Sequence, residues 1–222
     1  MPAGRCGRNL EGSIRREADV SKYRTLETYR SKRHFDETTE PSGEDGHRST
    51  ENGNAFVVQI HDATTLHFDV RLEADGVLKS WSVPKGPPAE PGDRRLAMPT
   101  EDHPLAYREF EGVIPHGEYG AGSVIVWDEG SYRVLSHDRQ GRAKGLAQAL
   151  DEGHVTVRLS GAKLRGDWSL VRFRGEDGSG DREAWLMLKR GRAAAPSASP
   201  DPIRARSALS GRTLKQVARS AE

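Results

Sequence analysis

The chain has 222 residues, and its 34 Lys and Arg nearly balance its 33 Asp and Glu, which gives a net charge of +1. This balance excludes a uniformly basic protein that coats nucleic acid, although charge can still be concentrated locally. A single cysteine, Cys6, excludes an internal disulfide and is typical of a reducing compartment. Because the sequence shows no apolar run of membrane-spanning length and no signal peptide, we expect a cytoplasmic protein without membrane contact.

The N-terminal part of the chain predicts two different segments. Residues 1–19 are polar, rich in Arg and Gly and without apolar periodicity, so we expect them to be disordered. Residues 20–54 form a predicted arm. Apolar residues recur at helical spacing between Val20 and Phe35, which predicts a short amphipathic helix. The segment from Pro41 to Asn54 is almost free of apolar residues and predicts a flexible loop.

Residues 55–191 form the predicted ordered domain. Short runs rich in β-branched and aromatic residues alternate with turn signals, and the Asp75-Gly76 pair predicts a hairpin turn. The predicted strands cover residues 56–61, 67–72, 77–83, 95–98, 123–127, 131–135, 155–159, 167–173 and 184–189. Residues 144–150 predict a helix. Many short strands with few short helices predict a mainly β fold, a compact antiparallel β-barrel with a polar, metal-binding lumen.

Residues 192–222 predict a flexible basic tail. The Ala, Pro and Ser composition from Ala193 to Pro202 is typical of a linker. A short helix is predicted to begin within Ser210–Leu214. We expect this tail to lie outside the core.

The predicted strand from His67 to Leu72 has two unlike faces. Successive side chains of a strand point to opposite sides, so His67, Asp69 and Arg71 share one face. The three apolar side chains that alternate with them form a core face. His and Asp are metal ligands, and the planar fork of Arg matches a phosphate. The strand therefore suggests a metal beside a phosphate site.

His61 lies six residues before His67, across a predicted turn. Two antiparallel strands that meet at this turn would gather two imidazoles and the Asp69 carboxylate around one Mn²⁺, Zn²⁺ or Fe²⁺ ion. Alternatively, each His is a hydrogen-bonded structural residue and Asp69 pairs with Arg71. The pattern alone leaves both interpretations open.

A second polar cluster covers residues 101–107. His103 can donate to a phosphate oxygen and Tyr107 offers a hydroxyl donor, although a loop with local hydrogen bonds is the alternative. Basic residues between the two clusters would suit a phosphate ester or would simply be surface charges: Lys79, Lys85, Arg94 and Arg95. The Gly-dense run at 112–122 lacks the Lys-Ser/Thr pair of a phosphate loop, so we interpret it as a tight structural turn.

Four motifs in unchanged order resemble the 3′-phosphoesterase domain of bacterial DNA ligase D. They are Gln59–Glu73, Leu78–Pro87, Glu101–Leu105 and Gly117–Gly122. The resemblance covers about residues 26–190. It implies a compact β-barrel that heals 3′ ends during non-homologous end joining. Such an enzyme removes a 3′-phosphate, or a terminal ribonucleoside, from primer ends and leaves a 3′-hydroxyl.

The resemblance also implies roles for individual residues. The implied ligands of Mn²⁺, or of another divalent metal, are His61, His67 and Asp69. The implied catalytic contacts to the scissile phosphate are Arg71, His103 and Tyr107. The implied lining of the phosphate pocket is Ser80, Lys85 and Arg95.

The segment Leu26–Phe35 resembles the N-terminal arm that the family needs for ribonucleoside removal. Arg33 and Glu40 match the arm and are implied substrate-binding residues. His34 departs from the pattern, because the arm has an Asp at this position. The departure bears on ribonucleoside removal more than on phosphate removal.

The implied partners are DNA or RNA-containing primer 3′ ends, with Ku and a separate DNA ligase or polymerase. The resemblance implies a monomer that joins the bacterial nucleoid during repair. Ser210–Leu214 resembles the segment that leads into the ligase domain of fused members, so we expect a stand-alone version.

Two other classes of function fit parts of the pattern. A non-catalytic module could bind 3′ ends and recruit a ligase. A cupin-like metalloenzyme with two His and one acid in a β-barrel could act on a small molecule. The basic residues and the arm argue against the second class, since a small substrate needs no extended basic surface.

Overall fold

The computed structural model describes residues 26–44, 49–173, 183–191 and 201–220. The prediction of disorder for residues 1–19 and the first part of the predicted arm helix lie outside these ranges. Within them, no helix is long and apolar enough to cross a membrane.

The described residues form strands joined by short helices. The strands are β1 Ala55–Asp62, β2 Leu66–Ala74, β3 Val77–Val83, β4 Arg94–Pro99, β5 His103–Pro104, β6 Gly112–Ile114, β7 Gly122–Val134, β8 His154–Gly161, β9 Arg165–Phe173 and β10 Ala184–Arg190. The helices are α1 Glu27–Arg30, α2 Leu146–Asp151 and α3 Leu214–Arg219, with a 3₁₀ turn at Leu105–Glu109. Among the described residues the arm helix ends at Arg30, before the predicted end at Phe35. Helix α2 matches the predicted helix at residues 144–150 within two residues at its start.

Eight strands close into an antiparallel barrel. Their order is β1-β2-β3-β4-β10-β9-β8-β7, and β7 pairs back with β1. The two short strands lie outside this ring, β5 against β3 and β6 against β7. Closure leaves every barrel strand paired on both sides, which removes exposed sheet edges. The predicted mainly β antiparallel barrel is confirmed.

Strand β7 is one long strand where the sequence predicts two. It pairs with β1 from Ser123 to Ser131 and with β8 from Gly130 to Val134, so one strand bridges two neighbours. A Cβ on Gly130 would collide with the carbonyl oxygen of Ser160. Glycine at this position therefore permits a close approach of two backbones inside a continuous strand, and is not the turn that the sequence suggested.

Apolar side chains from all eight barrel strands pack into one buried cluster. Representative members, one from each strand, are Phe56, Val70, Trp81, Ala97, Trp185, Trp168, Val157 and Ile125. Side chains from every strand of a closed ring can meet only on its inner face. The interior is therefore apolar, and the face of β2 that carries His67 points the other way. This refines the predicted polar lumen: the polar cluster is buried inside the protein, beside the apolar barrel core.

A second apolar cluster joins the arm and residues 105–114 to β3 and β7. Its members come from the arm, from β3, from β7 and from residues 105–114, and they are Leu26, Tyr29, Val77, Leu78, Leu105, Tyr107, Phe110, Ile114 and Val124. Within the arm, Tyr29 Oη donates to the Pro41 carbonyl (2.7 Å) and Arg30 Nε donates to the Ser42 carbonyl (3.1 Å), which holds the helix against the segment that follows it. This outer layer covers the strands that carry the predicted site.

The C-terminal segment contradicts part of its prediction. Helix α3 begins at the predicted place, with Thr213 as a capping-box residue. Its Leu214 and Val217 are buried in the barrel core cluster, and the Ala208 amide donates to the Val126 carbonyl (2.8 Å). The prediction that this segment lies outside the core is wrong for these residues. Two apolar residues in a short polar stretch are too weak a pattern to reveal that contact.

We expect Leu214→Ala to lower the free energy of unfolding by about 2 kcal/mol, because it removes a buried side chain and leaves a cavity. Urea unfolding followed by circular dichroism measures the change. Lys215→Ala is the matched control, since Lys215 is exposed in the same helix. Equal stability of the two variants would show that α3 does not contribute to the core.

Candidate active site

Strands β1 and β2 bring the three predicted metal ligands together. His61 and His67 are directly opposite in the β1–β2 register, and Asp69 follows two residues later on the same face. One ligand atom from each side chain lies within 4.8 Å of the others. Asp69 Oδ2 lies 3.8 Å from His61 Nδ1, and Asp69 Oδ1 lies 3.6 Å from His67 Nε2. The three side chains meet because the two strands are paired and side chains two residues apart in a strand point to the same face.

Backbone carbonyls orient both imidazoles. His61 Nε2 lies 2.7 Å from the Gly120 carbonyl oxygen, and His67 Nδ1 lies 2.8 Å from that of Thr65. A carbonyl can only accept, so these ring nitrogens donate, and the other two, His61 Nδ1 and His67 Nε2, face Asp69. Two imidazole nitrogens and a carboxylate oxygen suit a divalent transition metal, and such outer hydrogen bonds are typical of metal-binding His. The donor set therefore fits the implied metal.

Asp69 remains a carboxylate in this environment. Burial on its own raises its pKa, but the guanidinium of Arg71 and the neighbouring His61 and His67 outweigh burial and hold the pKa well below its ordinary range. The group is thus negatively charged at neutral pH, as a metal ligand must be.

Arg71 links the metal cluster to side chains of β1 and β3. Its Nη2 donates to Asp69 Oδ2 (2.9 Å), its Nε to Gln59 Oε1 (2.8 Å) and its Nη1 to Ser80 Oγ (3.0 Å). The guanidinium also lies over the ring of Tyr107, 4.8 Å from the centroid. Arginine offers five N–H groups, so these three bonds leave two to bind a phosphate.

Gln59 is a functional residue that the sequence analysis did not single out. Its Nε2 donates to the carbonyls of Tyr107 and Phe110, both at 3.0 Å, while its Oε1 accepts from Arg71. Gln59 therefore links residues 107–110 to the Arg71 guanidinium. The strand periodicity could have indicated Gln59, because residues two apart in a strand share a face and His61 lies two residues after Gln59 in β1.

His103 lies on β5, close to the charges of Arg71 and Asp69. Its Nδ1 donates to the Glu101 carbonyl (2.8 Å), and its Nε2 lies 3.5 Å from Arg33 Nη2. Burial, and then the positive charges of Arg71 and Arg33, lower its pKa well below its ordinary value of 6.5. His103 is therefore neutral at pH 7, with Nε2 as an acceptor.

The arm reaches the site through Arg33 and Glu40. Arg33 donates to Glu40 (2.9 Å) and to Glu101 (3.1 Å), and its guanidinium lies over the ring of Tyr29 at 3.9 Å. Tyr107 Oη donates to Glu40 Oε1 (2.9 Å). Burial raises the pKa of Tyr107 well above its ordinary value, so this hydroxyl keeps its proton. The two predicted arm residues thus share one buried network with a predicted catalytic residue.

These side chains surround a cavity of about 330 Å³. The predicted site residues in its lining are His61, His67, Asp69, Arg71, His103, Tyr107 and Arg33, and the lining residues without a predicted role include Ser82, Thr100, Glu101, Tyr119 and Gly120. Loop residues such as Tyr119 follow no periodicity, so only a motif match could have pointed to them.

Three predicted pocket residues lie elsewhere. Ser80 is buried behind Arg71 and does not line the cavity. Lys85 is exposed, and Arg95 on β4 donates to Asp93 (3.0 Å); neither lines the cavity. Their roles toward phosphate remain predictions.

His34, the residue that departs from the expected arm, points toward solvent. Its side chain is 75% exposed, and its Nδ1 lies 3.2 Å from Glu118 Oε1. The His34 amide also donates to Glu118 (3.3 Å). His34 therefore contacts the Gly-dense loop and does not line the cavity.

The fold and the site define a class of protein: a β-barrel whose buried His–His–Asp cluster adjoins a cavity with two arginines and a neutral imidazole. The family model described as DNA ligase D 3′-phosphoesterase domain matches residues 59–172. The chain therefore belongs to the DNA ligase D 3′-phosphoesterase domain family, which confirms the resemblance seen in the sequence motifs.

Three relatives are multifunctional non-homologous end joining proteins LigD. The chain is 46% identical to the Pseudomonas aeruginosa protein over 164 residues, which are 74% of this chain and 18% of the relative. It is 43% identical to the Mycobacterium tuberculosis protein (73% and 20%) and 41% identical to the Mycolicibacterium smegmatis protein (72% and 21%). The chain spans about a fifth of the length of these curated relatives.

We expect Asp69→Asn to raise the dissociation constant for Mn²⁺ at least ~10-fold, because it removes the negative ligand and keeps the shape of the side chain. Isothermal titration calorimetry of metal-free protein with Mn²⁺ measures the effect. Asp93→Asn is the control, since Asp93 pairs with Arg95 away from the cavity. Unchanged affinity in Asp69→Asn would remove Asp69 from the ligand set.

The lowered pKa of His103 predicts how stability depends on pH. The unfolded chain takes up a proton below the ordinary pKa of 6.5 and the folded protein does not, so acidification through this value favours unfolding. At about pH 5.5 the resulting loss reaches up to about 1.4 kcal/mol.

Urea unfolding at about pH 7.5 and pH 5.5 tests this expectation. On acidification, the free energy of unfolding of His103→Gln should fall less than that of the wild type, by up to about 1.4 kcal/mol. His116→Gln, at an exposed position, should behave as the wild type does. The same pH dependence in His103→Gln and the wild type would contradict a neutral buried imidazole.

Proposed function

We propose that this chain is a metal-dependent phosphoesterase of DNA repair that removes a 3′-phosphate from DNA or RNA-containing primer ends. It also removes a terminal ribonucleoside, and both reactions leave a 3′-hydroxyl for a ligase or polymerase. One observation supports this proposal. The cluster of His61, His67 and Asp69 lines the same cavity as Arg71 and His103. The family of the chain agrees with a hydrolase that processes ends.

His61, His67 and Asp69 would hold the metal, with Mn²⁺ as the proposed ion. When bound there, a divalent cation supplies Lewis acidity toward a phosphoryl oxygen. Arg71 would bind the other oxygens through its two remaining N–H groups and neutralise their charge. Asp69 and Gln59 hold the guanidinium in place before substrate arrives, so little reorganisation is needed.

His103 would act on the leaving oxygen. In the free protein, burial and then the positive charges of Arg71 and Arg33 disfavour protonation of His103. A phosphate that enters the cavity brings negative charge and favours the imidazolium. The substrate therefore converts His103 Nε2 from an acceptor into a donor, which can stabilise or protonate the oxygen that departs.

Ribonucleoside removal would depend on the arm. Arg33 lines the cavity, and Glu40 holds both Arg33 and the Tyr107 hydroxyl. His34 stands where the family resemblance has an acid, and its side chain contacts Glu118 outside the cavity. We therefore propose that phosphate removal is the stronger activity and that ribonucleoside removal is the weaker one.

The names of the relatives describe non-homologous end joining, and this supports a proposal about partners. We propose that the chain acts on DNA ends in the same process, with Ku and a separate ligase or polymerase as its partners.

Two labelled primers, one ending in a 3′-phosphate and one in a ribonucleotide, test the proposal in parallel. With Mn²⁺ the wild type should convert the first quickly and the second more slowly, as seen by gel mobility. Asp69→Asn should lower phosphate release at least ~100-fold, since metal Lewis acidity is worth several kcal/mol.

Each other outcome selects another function. Binding of the primers without conversion would favour a non-catalytic module that recruits a ligase. Neither binding nor conversion would favour a metalloenzyme for small molecules. Full phosphatase turnover in Asp69→Asn would show that the His61, His67 and Asp69 cluster is not the catalytic metal site.

A further inference from the structure

A second cavity of about 400 Å³ adjoins the first. Its lining residues are Thr28, Lys32, Pro99, Thr100, Glu101, Asp102 and Tyr119. Thr100, Glu101 and Tyr119 line both cavities, so they form the wall between them. The arm, through Thr28 and Lys32, forms the other side. A groove therefore leads from the metal cluster along the arm.

Tyr119 stands in this shared wall with an accessible ring. It is 50% exposed, whereas Tyr107 in the same lining is 2% exposed and Tyr29 is fully buried. Lys32 Nζ lies 4.5 Å from the Tyr119 ring centroid and 3.4 Å from its hydroxyl, which holds the ring in place. Lys32 is itself paired with Glu101 at 3.0 Å.

The backbone beside Tyr119 is tied to the metal cluster. The next residue, Gly120, accepts the hydrogen bond of His61 (2.7 Å) and has a φ of 81°. Tyr119 therefore directly precedes the residue whose carbonyl orients His61, an implied metal ligand. Two cations lie over the Tyr119 ring: Lys32 Nζ at 4.5 Å and Arg33 Cζ at 5.6 Å from its centroid.

We propose that Tyr119 forms a base-stacking subsite for the nucleotide that carries the terminal phosphate. This proposal rests on the proposed function and adds the place of the nucleoside. A phosphate held at the metal cluster must connect to a nucleoside that extends out of the first cavity. Tyr119 lines this cavity and is half exposed, and a planar base stacks on an aromatic ring whatever the identity of the base. The second cavity then receives the adjoining strand.

The test compares two primers with a 3′-phosphate, one with a terminal adenine and one with a terminal abasic nucleotide. Tyr119→Ala should lower kcat/KM about 10-fold on the adenine primer and leave the abasic primer at the wild-type value. Tyr119→Phe should restore most of kcat/KM on the adenine primer, because it keeps the ring. Phe173→Ala removes an exposed aromatic ring from β9 and should change neither primer.

Equilibrium binding of the same primers, by fluorescence anisotropy without metal, provides a readout that needs no turnover. Tyr119→Ala should weaken binding of the adenine primer alone. An equal loss on both primers would show that Tyr119 only supports Lys32 and the wall, and no loss on either would exclude the subsite. An inactive wild type would contradict the proposed function, whereas equal losses in an active enzyme would contradict only the subsite.

Discussion

Arg71 is a permanent cation that is 2% exposed, and a charge in such a place is tolerated only when its hydrogen bonds are satisfied. Its partners come from three strands: Asp69 beside it on β2, Gln59 on β1 and Ser80 on β3. The ring of Tyr107 covers it from the outer layer. The correct pairing of β1, β2 and β3 is therefore required before this charge can be buried. The same pairing places the histidines opposite each other, so the metal cluster and the phosphate-binding cation depend on one constraint.

The strands that carry the site serve two layers at once. Their inward side chains belong to an apolar core that all eight strands share, while the outward side chains that form the site are polar and mostly buried. Such a face needs a cover, and the arm and residues 105–114 provide it. Arg33 and Glu40 attach the arm through Glu101 and the Tyr107 hydroxyl (3.1 and 2.9 Å). The cover buries Arg71 and Asp69, and buried charges interact strongly. The arm is thus part of the site and also part of the fold.

Periodicity predicted most of what lies on strands. Alternation along β2 placed His67, Asp69 and Arg71 on one face, and the structure confirms that they share it with His61. When both faces of a barrel strand are buried, alternation alone does not show which face lines the barrel interior. Loops follow no period, and the contribution of Tyr119 depends on a turn whose geometry only the folded chain shows. The burial of α3 was missed for a related reason, since a short helix has too few apolar residues to reveal its contact.

The central claim is that three side chains form one metal site beside Arg71. Crystals grown with Mn²⁺ and measured at the manganese absorption edge test it without any assumption about substrate. The account predicts a single strong anomalous peak in this region, in coordination contact with His61 Nδ1, His67 Nε2 and an Asp69 oxygen. Absence of a peak there in crystals that contain manganese elsewhere, or a peak bound by other residues, would contradict it.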